Sequence, residues 1–118
     1  MSDGAPNGRN MKRERLPNRR RQVTDDTRWP LDGGRRIHVS AGLAVDGRIL
    51  EAFLRGSKSG SELDFLLDDI AVLLSRGLQH GDRLAQIASG LGRLPDGKPA
   101  SLIGAVVDRL RSIEAGKL

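Results

Sequence analysis

The residues best suited to do chemistry lie between Gly56 and Ser61. Gly56-Ser57-Lys58-Ser59-Gly60-Ser61 places one lysine and three serines in a glycine-bearing loop ahead of the longest apolar-periodic segment. Backbone N–H groups of such a loop, together with the N-terminus of a following helix, favour anions, and Lys58 adds positive charge. Lys58, Ser59, Gly60 and Ser61 are therefore the candidate anion- or nucleotide-binding residues. The spacing is not that of a P-loop, which ends in Gly-Lys-Ser or Gly-Lys-Thr after four intervening residues. Glu62 and Asp64 also set negative charge beside the loop. The competing role is a strand-to-helix connection, with Gly for geometry and Ser for capping.

Other reactive side chains form no constellation. Asp68 and Asp69 are adjacent, so on a helix they point about 100° apart and cannot flank one substrate as an acid/base pair. His38 and His80 are too few and too distant to suggest a metal site. There is no cysteine, which removes disulfides, thiolate zinc ligands and thiol redox chemistry. No catalytic residue, metal or cofactor is expected from residue types.

The charge is divided unevenly. Residues 1 to 36 hold ten Arg or Lys against five Asp or Glu, and residues 37 to 118 hold ten against ten. The net charge of +5 thus belongs to the first third of the chain. Arg19, Arg20 and Arg21 are the densest part of it and the candidate contacts to nucleic acid or another acidic partner. A solubilising disordered leader is the alternative. Pro17 argues against a continuous basic helix and for an extended arm. No apolar run approaches the length of a membrane span, and nothing resembles a signal peptide, so a cytoplasmic location is expected.

The elements that must position these residues read as an α+β domain, a β-hairpin packed against three α-helices. Ile37, Val39, Ala41, Leu43 and Val45 alternate as on a half-buried strand. Asp46-Gly47 is the dipeptide of a two-residue hairpin turn. The returning strand, Arg48 to Leu54, has Leu50, Ala52 and Leu54 on one side and Ile49, Glu51 and Phe53 on the other, without fixing which is buried. A third strand over Val23 to Trp29 is possible. Leu63, Leu66, Leu67, Ile70, Leu73, Leu74 and Leu78 then recur at helical spacing over about 17 residues, opened by Ser61-x-x-Asp64 and closed by His80-Gly81. Asp82 is the expected cap of a second helix, and Pro99 the first-turn proline of a third running to Ile113. The expected organisation is a disordered basic leader over residues 1–21, the domain over 22–113, and a frayed tail over 114–118.

Three stretches carry a resemblance. Gly56 to Gly81, Arg93-Leu94-Pro95-Asp96-Gly97-Lys98-Pro99-Ala100-Ser101 and Ile103-Gly104-Ala105 resemble, in order and spacing, the TSCPD domain. That family occurs at the C-terminus of adenosylcobalamin-dependent ribonucleotide reductases and as short stand-alone bacterial proteins. Arg15-Leu16-Pro17-Asn18-Arg19-Arg20 is similar to the opening of the stand-alone forms, so the likeness runs over roughly residues 15 to 113. The family's Thr-Ser-Cys-Pro-Asp string is missing from this sequence. The resemblance implies a non-catalytic accessory or regulatory module that binds a nucleotide, a nucleic acid or the reductase itself. From a different class come two alternatives, a nucleic-acid binder acting through its leader and a homodimer formed through unpaired strand edges.

Overall fold

The computed structural model describes residues 13–17, 20–29, 35–56 and 60–116. Three antiparallel strands, β1 (Gln22–Trp29), β2 (Arg35–Leu43) and β3 (Ile49–Arg55), form one sheet in the order β1-β2-β3. Three helices follow, α1 (Glu62–Gln79), α2 (Leu84–Gly90) and α3 (Leu102–Glu114). The expected α+β class holds, and the weak third strand is real.

Alternation on β2 decides the layering. Ile37, Val39, Ala41 and Leu43 are buried, whereas Arg36 and His38 on either side of Ile37 are exposed. On β3 the register pairs Val39 with Leu54 and Ala41 with Ala52, so Leu54 and Ala52 join the inner face. A bulge beside Leu43 lets Ile49 join them, with Leu50 as the extra residue. Glu51, Phe53 and Arg55 thereby turn outward. The inner face packs against Leu67, Ala71 and Leu78 of α1, Leu84 and Ala88 of α2, and Val106, Val107, Leu110 and Ile113 of α3.

Several local expectations change. The hairpin connection is longer than two residues: Gly47 donates to the Ala44 carbonyl and Ala44 to the Arg48 carbonyl, at 2.9 and 2.7 Å. Within this turn only Gly47 has positive φ (95°), so Asp46 sits in an ordinary turn and the glycine takes the left-handed position. Val45 leaves the strand for the tip of this turn and is 93% exposed. Arg83, not Asp82, is the N-cap residue of α2. Pro99 precedes α3, bridging to Arg93, and Ser101 caps that helix by accepting from Gly104 N. Glu114 ends α3, and its carboxylate accepts from Ile49 N at 2.8 Å.

Within the leader, the described residues pack on the domain. Glu14 N donates to the Gln79 carbonyl (2.7 Å), and its carboxylate takes both terminal nitrogens of Arg48. Arg21 accepts from Leu43 N, and Arg20 Nε donates to Glu51 at 2.7 Å. Residues 13–17, 20 and 21 are not a free arm. Residues 1–12 and 117–118 lie outside the described residues.

Candidate functional site: the outer sheet face and the groove beside α1

The sheet has one covered face and one open one. The outer face is built from rows across the strands: Arg28 opposite Arg36, then Asp26, His38 and Arg55, then Thr24, Ser40 and Phe53, then Gln22, Gly42 and Glu51. Phe53 is 55% exposed in the third row, with only the small side chains of Ser40 and Thr24 beside it in register. Arg36 and Arg55 are exposed, and neither has a hydrogen-bond or ion-pair partner among the described residues. Arg28 and Arg36 are direct cross-strand neighbours.

The fourth row shows how a carboxylate is tolerated there. Glu51 is buried, with its carboxylate lying over Gly42. A Cβ on Gly42 would stand 2.3 Å from Glu51 Oε2, so the missing side chain is the space the carboxylate uses. Arg20 neutralises it. This accounts for Arg20, which sequence alone offered to an external acidic partner.

Alongside the face, a groove of about 680 Å³ runs between β3 and α1. Its sheet side carries His38, Ser40, Phe53 and Arg55, and its helix side Asp68, Val72, Ser75 and Arg76. The floor is fixed by hydrogen bonds that satisfy the β3 edge. Ser75 Oγ accepts from Ala52 N and donates to the Ala52 carbonyl, at 2.9 and 3.2 Å. Gln79 Nε2 donates to the Leu50 carbonyl at 2.8 Å, and its Oε1 accepts from Arg13 Nε. Those groups would otherwise be unpaired edge donors and acceptors. The strand-edge route to a second copy is thus closed at these β3 positions. His38 Nδ1 pairs with Asp26, leaving Nε2 for another partner.

The loop before α1 is divided by what is described. Lys58 and Ser59, together with Arg19, lie outside the described residues. Gly60 has φ of 75°, a left-handed value that suits glycine. Ser61 is the N-cap, accepting from Asp64 N at 3.1 Å. The reciprocal half of a capping box is replaced: Asp64 accepts instead from Gly56 N at 3.2 Å. Gly60 and Ser61 therefore have local structural duties, and the Asp64 carboxylate spans the loop. Arg21 holds Leu43 through its carbonyl, and its exposed side chain has no ion-pair partner among the described residues. Among the described residues no group of three or more His, Cys, Asp or Glu could hold a metal. No helix among them is long and apolar enough to cross a membrane.

The outer face was missed from sequence because β3 read equally well either way round. The pairing of Ala52 with Ala41 decides it, and it brings Phe53 and Arg55 to the same side as Arg36 and His38.

The model of the TSCPD domain matches residues 9–116, nearly the whole sequence. The chain belongs to the TSCPD domain family. Over 69 residues it is 36% identical to a vitamin B12-dependent ribonucleotide reductase of Agrobacterium fabrum and 33% identical to one of Bradyrhizobium diazoefficiens. In each case the match covers 58% of this chain and 5% of the reductase. The chain thus corresponds to about a twentieth of the length of those relatives, a ribonucleotide-reductase-related module. No solved structure matches it.

Proposed function

We propose that this TSCPD chain is a non-catalytic accessory module of the ribonucleotide reductase system that binds a phosphate-bearing ligand with an aromatic base, a nucleotide or a single-stranded nucleic acid. The observation that carries the reading is the outer sheet face. One exposed aromatic ring, Phe53, shares this face with two arginines that lack partners among the described residues, Arg55 one row further along the sheet and Arg36 two rows. A base stacks on an aromatic ring at about 1–3 kcal/mol without regard to its identity. Guanidinium groups to one side of the ring hold phosphate by charge-assisted, bidentate hydrogen bonds. Asp26 and Asp68 bound the positive region and favour a ligand with few phosphates over a long duplex.

The loop at Lys58, Ser59, Gly60 and Ser61 adjoins β3 in sequence and is the competing place for the same phosphate. A thermal-shift panel separates them, because a ligand that binds the native state raises the Tm by mass action. Ribo- and deoxyribonucleotides, single-stranded and duplex DNA are each tested against wild type, Arg55→Ala and Lys58→Ala. The proposal expects stabilisation by nucleotides or single strands that is lost in Arg55→Ala and kept in Lys58→Ala. The reverse pattern moves the site to the loop, and no shift with any ligand overturns the proposal.

A further inference from the structure

The apolar stripe of α1 is wider than the sheet can cover. Leu67, Ala71 and Leu78 are buried, but Phe65, Leu66, Val72 and Leu73 are 62, 53, 57 and 71% exposed. At 3.6 residues per turn these four, with Glu62, Asp69 and Arg76, occupy about 120° of the helix surface turned away from the core. Their order along the axis is Glu62, Phe65/Leu66, Asp69, Val72/Leu73, Arg76, the alternating three-and-four spacing of a helix-pairing seam.

That order is complementary to its own reverse. An antiparallel copy centred on Asp69 sets each residue against the one equally far beyond the centre. Glu62 meets Arg76, Phe65 meets Leu73, and Leu66 meets Val72. Glu62, Asp69 and Arg76 are exposed and have no side-chain partner among the described residues, so the charges are available to a second chain. A two-fold contact requires this kind of pattern, because each surface patch must fit itself. An unrelated partner would not require it.

We infer that the outer face of α1 is a homodimer surface, on which a second copy of this chain packs antiparallel about a two-fold axis beside Asp69. The two Asp69 carboxylates approach each other there, which holds the dimer below its possible strength. This surface does not use the β3 edge, and it meets the groove proposed above only at Val72 and Arg76. Phe53, Arg36 and Arg55 are not part of it.

Sedimentation of the full 118-residue chain from low micromolar to millimolar concentration tests the inference. A reversible monomer–dimer equilibrium is expected. Leu73→Glu abolishes it while the melting temperature holds, since the residue is exposed. Asp69→Asn tightens it by about two- to fivefold, as removal of a like-charge contact should. Glu62→Arg weakens it, and adding Arg76→Glu to the same chain restores it, because each new charge then meets its opposite across the axis. A wild-type chain monomeric at every concentration overturns the inference and leaves the strip to a different protein. A dimer indifferent to Leu73→Glu overturns the surface. A dimer that Asp69→Asn leaves unchanged, or that the double swap fails to restore, overturns the antiparallel register.

Discussion

The two faces of the sheet are made by the same strands and have opposite chemistry. Toward the helices, Ile37, Val39, Ala41, Leu43, Ala52 and Leu54 are at most 3% exposed. Away from them stand Arg36, His38, Phe53 and Arg55, all exposed. One residue step along β3 passes from a side chain that holds the fold to one that is free to hold something else. The inner face binds its own helices; on our reading the outer face binds a ligand. Stability and binding should therefore separate cleanly by face.

The sharpest test of that separation is a core truncation. Leu110→Ala removes a fully buried side chain between α3 and the sheet and is expected to cost about 2–5 kcal/mol. Chemical denaturation should show an earlier midpoint, with binding at the outer face intact wherever the protein remains folded. Next in size is Gly42→Ala. The added methyl collides with the Glu51 carboxylate, displacing it from Arg20 and costing about 1–3 kcal/mol, read as a lowered Tm. An outer-face position that proved as sensitive as the core would make Glu51 and Arg20 a structural exception to the comparison. Ser75→Ala leaves Ala52 N and O at the β3 edge without their side-chain partner and should cost about 1 kcal/mol. Faster amide exchange at Ala52 would check the mechanism independently. Phe53→Ala should change stability by less than about 0.5 kcal/mol.

The smallest effect concerns acid. The Arg93 guanidinium makes two hydrogen bonds to Asp108, both at 2.7 Å, and holds its carboxyl below the ordinary aspartate range. A depressed folded-state pKa contributes stability above the unfolded value and loses it as pH falls through the folded one. Asp108→Asn should flatten the stability profile slightly below about pH 4 and leave it unchanged in slope near neutrality. The effect is small because Asp108 and Arg93 remain about one-third exposed and solvent screens them.

Much of this architecture was legible in the sequence, and the exceptions have physical causes. β2 alternates strictly and α1 repeats at helical spacing, so both were readable from residues alone. β1 was faint because Asp25 and Asp26, residues depleted in strands, separate Val23 and Thr24 from Thr27. It is held by its ladder to β2 and by Arg109 of α3, whose Nε lies 2.6 Å from Asp25 without an aligned N–H. The Asp46-Gly47 turn was placed correctly, but its length was not, because the dipeptide suits more than one hairpin loop. Leu66 and Leu73 read as core because periodicity reports an apolar stripe and not what covers it. The outer site was hidden for a related reason: Phe53 and Arg55 meet Arg36 and His38 only after a register is chosen. Lys58 was conspicuous because its neighbours are contiguous. The outer-face residues come from different strands, so no local motif announces them.

The most direct test is an amide chemical-shift titration of the labelled chain with a deoxyribonucleotide and, separately, a short single-stranded oligonucleotide. The account predicts saturable shifts centred on Phe53, Arg55, Arg36 and His38, lost in Phe53→Ala and weakened as salt rises. Shifts confined to residues 57–62, or no shift up to millimolar ligand, would contradict it.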